Sequence, residues 1–198
     1  METQEPIMTP QESLQVIQNM INAAKRDTQG NAFHFLFWGW LVFITCMTQY
    51  LLITVFHVEN SDRVWWSMVF GGIVSVIYSI KDNKAKGERT YSKYLLKHVW
   101  LAFGISWGII LFFGQMQSGT GVLSVCMILY GIGLYVSGAV LQFKPLMFGG
   151  SFNWLCAIAG FFITDVQILL VLAIAVLGGY IIPGHILNKK RNESVQRS

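Results

Sequence analysis

The chain has 198 residues, 54% of them hydrophobic and only 12% charged, about half the charged fraction of a soluble domain, so it holds too few ionic groups to cover a water-facing globule. Its formal net charge of +4 would suit nucleic acid, but the basic residues gather beside apolar runs, which points to a membrane surface instead. Cys46, Cys126 and Cys156 all fall inside apolar runs and show no C-x-x-C spacing, which excludes a disulfide framework or recognisable zinc site and leaves small core residues.

The N-terminus, "METQEPIMTP", carries acids where a cleavable signal would be basic, so the first apolar run is expected to act as an uncleaved anchor. Residues 9–24 read as an amphipathic helix. Thr9 caps it, Pro10 takes the first helical position and Glu12 follows three after the cap, the pattern of a helix start. Leu14, Ile17, Met20, Ile21 and Ala24 recur on one side, with Gln15, Gln18, Asn19 and Asn22 opposite. Such a helix either lies on the inner leaflet or docks against a loop or partner.

Six apolar segments follow, at roughly 33–56, 64–80, 97–114, 120–142, 146–164 and 166–187. Each is close to the ~20 residues that carry a helix across a ~30 Å hydrocarbon core. Helix is the expected state, because backbone groups in lipid must pair internally and these runs are too long and uniformly apolar for barrel strands.

The first segment, "FHFLFWGWLVFIT", is ringed with aromatics, with His34 at its edge. The second and third are joined by "KDNKAKGERTYSKYLLKH". With the N-terminus in the cytoplasm, thirteen of the fourteen Lys and Arg residues lie inside and only Arg63 lies outside. The outer connections, "HVENSDR", "QMQSGTG" and the point around Asp165, are acidic or neutral. The positive-inside rule therefore gives both termini to the cytoplasm. Lys81, Lys84, Lys86, Arg89, Lys189, Lys190 and Arg191 are the expected contacts for anionic lipid head groups.

Within the spans, small and polar residues mark the faces that should meet other helices. Gly104 and Gly108 form such a pair in the third. Cys126, Tyr130, Gly133 and Ser137 make one face of the fourth, and Gly149, Asn153, Ala157, Gly160 and Thr164 one face of the fifth. Ala175 and Gly179 serve the sixth, while Thr45, Thr48 and Gln49 gather toward the outer half of the first. Asn153 is either an interhelical hydrogen-bonding group or, with Tyr130, Ser137 and Gln49, the lining of a solute site. Pro183 and Gly184 read as an exit signal or a hinge. His34, His98 and His185 each sit at the cytoplasmic end of a span, as interfacial anchors or as ligands for a metal or haem. His57 lies on the other side.

The spans hold no mid-membrane Asp, Glu, Lys or Arg, the groups that ion-coupled machines use. The P-loop and H-E-x-x-H signatures are missing too, so no catalytic residue and no cofactor is expected. The run "ESLQVIQNMINAAK", then "FHFLFWGWLVF" and "YIIPGHILNKK", resemble a group of bacterial inner-membrane proteins of about this length with no assigned activity. The resemblance spans most of the chain. It implies a bacterial inner-membrane location and no particular site residue.

The expectation is thus an all-α polytopic membrane bundle of six transmembrane helices, with both termini in the cytoplasm and an N-terminal amphipathic helix. Residues 1–30 form the N-terminal segment, 31–188 the six-helix domain and 189–198 a basic tail. The expected role is that of a non-catalytic interaction, accessory or regulatory component. Its partners are the bilayer with its anionic lipids and further copies or another membrane protein, and not nucleic acid. A facilitative carrier for a small, mostly uncharged solute, and a histidine-ligated haem or metal subunit, are the alternatives.

Overall fold

The computed structural model describes residues 10–86, 91–114, 121–163 and 166–195. Helix α1 spans Pro10–Thr54, and a 3-10 helix Ser61–Trp66 leads into α2, Ser67–Lys86. Then come α3, Tyr91–Gly114; α4, Val122–Val140; and α5, Lys144–Phe161. Helix α6, Gln167–Val176, passes through a π-helical turn, Leu177–Ile181, into α7, Ile182–Val195. Among the described residues there is no strand.

Among the described residues, four stretches are long and apolar enough to cross a membrane: Phe33–Thr54, Ser61–Lys81, Val122–Val140 and Gln167–Lys189. The other two expected spans are helical but fall outside these four. In α3 the apolar part is Tyr94–Ile110. Helix α5 has 18 residues and holds Gly149, Gly150, Ser151 and Asn153 at its middle. That composition suits its position between α4 and α6.

The amphipathic stretch and the first apolar stretch share one helix, because α1 runs unbroken for 45 residues. At 1.5 Å per residue it is about 68 Å long, more than twice the hydrocarbon thickness. Thr9 and the side chains of 10–13 and 16–32, Glu12 among them, lie outside the described residues.

The helices follow one another sideways in the order α2, α1, α6–α7, α5, α4, α3. The closest pair is α4–α5. Their hairpin turns on Gln142, held in the left-handed region at φ 51°. The Phe143 N–H donates to the Gly138 carbonyl at 2.8 Å and the Gln142 N–H to the Ala139 carbonyl at 3.1 Å, a helix stop that satisfies the end of α4. Two glycines let the backbones approach. A Cβ on Gly150 would lie 2.7 Å from the Gly131 carbonyl oxygen, and one on Gly138 2.7 Å from the backbone nitrogen of Met147.

The expected faces of the fourth, fifth and sixth spans are all turned inward. Cys126, Tyr130, Gly133, Ser137, Gly149, Asn153, Ala157, Gly160, Ala175 and Gly179 are buried; Thr164 lies outside the described residues. The third span differs. Gly104 and Gly108 are exposed, and a Cβ on either would meet nothing within 4 Å. Small-residue spacing permits close approach but does not bring a neighbour, and α3 turns another face to α4. Helix α2 is also peripheral and packs on α1 and its own 3-10 helix. Both helices carry large apolar side chains outward, among them Phe70, Ile73 and Val76 on α2 and Leu101, Ile105 and Ile109 on α3.

The seam between α1 and α2 is a ladder of small polar contacts. Trp65 Nε1 donates to Gln49 Oε1 at 2.6 Å, and Thr45 Oγ1 and Ser67 Oγ lie 3.0 Å apart. Near the other end Ser75 Oγ meets His34 Nδ1 at 3.0 Å and accepts from Trp38 Nε1 at 3.4 Å. Between them Gly71 admits Leu41 against its backbone, while Gly72 faces open space. Thr48 is exposed and takes no part.

Pro183 does not end its helix, which continues to Val195. A proline lacks the N–H that would bond to the carbonyl four residues back, here Gly179. The helix accommodates this in the π-helical turn directly before it, where the Ile182 N–H bonds to the Leu177 carbonyl five residues back. Gly184 then packs on Leu36 of α1, with a Cβ position only 2.9 Å from Leu36 Cδ2.

Candidate functional site

The middle of the bundle is built around Asn153. Its side chain is fully buried on α5. The amide Nδ2 donates to the Gly149 carbonyl of its own helix at 3.0 Å and across to the Ala175 carbonyl of α6 at 3.1 Å. Both amide hydrogens are thereby used. The contact is possible because Gly179, in the π-helical turn, has no side chain: a Cβ there would collide with Asn153 Nδ2. Gly149 faces the same turn, and its Cβ position lies 2.7 Å from the Gly179 carbonyl oxygen and 2.9 Å from Gly179 Cα. Helix α5 and the π-helical turn therefore meet backbone to backbone, with one amide fastening α5 to the end of α6 just before the turn. A hydrogen bond of this kind in a membrane bundle averages about 0.6 kcal/mol and reaches about 2 kcal/mol.

Beside it, Tyr180 of the π-helical turn is buried among aromatic rings from three other helices. Its ring centroid is 5.8 Å from Tyr130 of α4, 6.4 Å from Trp100 of α3 and 6.3 Å from Phe35 of α1. Tyr130 in turn lies 5.3 Å from Phe103. Among the described residues, four buried polar atoms have no hydrogen-bond partner: Asn153 Oδ1, Tyr180 Oη, Ser124 Oγ and Ser137 Oγ. Such atoms cost more in a dry interior than paired ones.

The four residues read from the sequence as a solute lining are not one lining. Gln49 is bound to Trp65 at the far end of α1, Asn153 is committed to Ala175, and Tyr130 sits in the aromatic stack. Tyr130, Ser137 and Asn153 are 8%, 0% and 0% exposed, so none is open to solvent. The surface groove along α1, of about 550 Å³, is lined by none of the four.

The three histidines are held separately. His34 Nδ1 meets Ser75, with its ring edge-on to Phe33 and Tyr78. His98 Nδ1 donates to the Tyr94 carbonyl at 2.8 Å on its own helix, and His185 is exposed. Among the described residues no three of His, Cys, Asp and Glu are placed to hold a metal ion. Depth alone had grouped these histidines; their helices put them against different partners.

Of the basic residues read as lipid contacts, Lys81 and Lys189 are exposed. The backbones of Lys84 and Lys86 continue α2 and those of Lys190 and Arg191 continue α7, their side chains lying outside the described residues; Arg89 lies outside them altogether. Ser75, Tyr180 and Ser124 were not singled out in the sequence. Ser75 falls eight residues after Ser67, two turns along one helix face, and that spacing was the available signal. Compared with known proteins, the chain matches no family model, no curated protein and no solved structure.

Proposed function

We propose that this chain is a six-span component of a bacterial inner membrane, with both termini in the cytoplasm, acting by contact with other membrane proteins or further copies of itself. The observation that carries this reading is the use of Asn153: the most polar mid-membrane side chain spends one amide hydrogen fastening α5 to α6 and the other on its own helix. A bundle whose central polar group is structural, and whose polar residues build no common lining, is suited to a scaffold. The peripheral α2 and α3, with apolar faces turned outward, provide surface for lipid and for partners. The basic residues flanking the spans support the orientation, and the resemblance noted in the sequence supports the location.

A facilitative carrier for a small polar solute is the second reading, favoured by the unpaired Asn153 Oδ1 and Tyr180 Oη. One experiment separates them. Cys126, Cys46 and a cysteine placed by Ser137→Cys should all resist a water-soluble thiol reagent in native membranes. Labelling of any of the three would reveal water in the interior and transfer the case to the carrier. In parallel, the full chain in gentle detergent should size as an assembly larger than its 22.4 kDa and shrink when residues 1–28 are deleted. A monomer in both states, with no other membrane protein co-purifying, contradicts the contact reading.

A further inference from the structure

The open groove of about 550 Å³ along α1 has a shape that the scaffold does not require. It runs from Phe33 through Phe37 and Trp40 to Ile44, and Asn188 of α7 is its polar lining residue. Its volume falls in the range of small-molecule sites. Phe33 stacks on Tyr78 of α2 at 4.0 Å, and Leu36, also in the lining, rests against Gly184 of α7. Helices α2 and α7 thus flank the groove. From Phe33 to Ile44 the helix rises about 16 Å, which is the depth of one leaflet of a ~30 Å hydrocarbon core.

The register of the neighbours places charge at one end only. Lys81 stands one turn beyond Tyr78, the ring that covers Phe33. Asn188 stands one turn beyond Gly184, and Lys189 follows it directly. Both lysines are exposed. The groove is therefore apolar and aromatic for the depth of a leaflet and ends at the Asn188 amide, with Lys81 and Lys189 following along the two flanking helices at that end. A zwitterionic head group would bring no net charge to that mouth, and a free anion would leave the aromatic bed bare.

We propose that this groove holds one anionic glycerophospholipid, with an acyl chain along Phe37, Trp40 and Ile44 and its phosphate at Asn188, Lys81 and Lys189. The site rests on the reading that the chain is embedded in a bilayer, and not on which side its termini lie. It adds a selective, stoichiometric lipid to the diffuse contact that any basic membrane boundary makes.

Native mass spectrometry of the full chain in a neutral detergent tests it, with phosphatidylglycerol and phosphatidylcholine as the probes. One phosphatidylglycerol should be retained in preference to phosphatidylcholine. The pair Lys81→Gln and Lys189→Gln, both at exposed positions, should weaken that retention about tenfold or more while helicity by circular dichroism is unchanged. Trp40→Ala should weaken both lipids alike, because it strips the apolar bed. Equal retention of the two lipids, a non-saturating series of adducts, or a lysine pair that behaves as wild type overturns the site. Failure of the embedding itself would show differently, as an intact chain recovered without detergent.

Discussion

Gly149→Ala is expected to destabilise the folded chain by about 3 kcal/mol, at the upper end of what overpacking usually costs. The new methyl group would sit 2.7 Å from the carbonyl oxygen and 2.9 Å from Cα of Gly179. Both obstacles are backbone, so no rotamer change relieves the contact. Helix α5 would have to move away from the π-helical turn, and Asn153 would lose its reach to Ala175. The comparison that gives this meaning is Gly104→Ala on α3, where a Cβ meets nothing within 4 Å. Alanine is favoured over glycine in a helix by about 1 kcal/mol, so that variant should be neutral or slightly more stable. Unfolding of both purified variants in the same mild detergent, followed by circular dichroism, measures the difference. A Gly149→Ala chain as stable as wild type would mean that α5 and the turn are not in backbone contact.

The second large effect lies at Gly179 and is conditional on Asn153. Alone, Gly179→Ala drives a methyl group into the Asn153 amide, and should cost about 2–3 kcal/mol through overpacking and the lost hydrogen bond. Asn153→Ala alone should cost about 1–2 kcal/mol. Together they should cost clearly less than their sum, since the truncated side chain leaves room for the methyl group. A coupling of about 1 kcal/mol or more is expected for residues in direct contact. Leu134 Cδ1 at 3.0 Å and the Gly149 carbonyl at 3.1 Å keep the rescue partial. Strict additivity would remove the clamp from this account.

These two positions also show how far the sequence could be read. The apolar runs made the helices legible, and the 4, 3, 4 spacing of Cys126, Tyr130, Gly133 and Ser137 identified a face that is indeed buried. Gly104 and Gly108 had equally good spacing and face outward, because spacing reports what a surface permits and not what lies opposite. Asn153 stood out by polarity, but its partner is a backbone carbonyl, and every residue has one. The π-helical turn was marked only by Gly178, Gly179 and Pro183, a pattern equally compatible with a helix exit. The histidines illustrate the same limit from another side. Their depth follows from the spans, whereas their neighbours depend on the lateral order of the helices, which pairs His34 with Ser75 and leaves His98 on its own backbone. Lateral order is set by many weak contacts and leaves no periodic trace.

The outward surface fits the proposed setting. Phe70, Ile105 and Phe162 are 71%, 58% and 84% exposed, and rings and branched chains at such exposure in water would drive association. In hydrocarbon the same faces carry no such penalty, and packing depends instead on close backbone approach and a few hydrogen bonds. That is the division seen between the glycine-lined α4–α5–α6 centre and the peripheral α2 and α3.

The membrane arrangement itself is open to one direct measurement. In a chain with its three native cysteines replaced, single cysteines introduced by Asn60→Cys, Lys86→Cys and Asn192→Cys are exposed to a membrane-impermeant thiol reagent, first in sealed cells and then after permeabilisation. Six crossings with both termini inside require position 60 to react in sealed cells, and positions 86 and 192 to react only once the membrane is opened. Reaction at position 86 in sealed cells would contradict the arrangement.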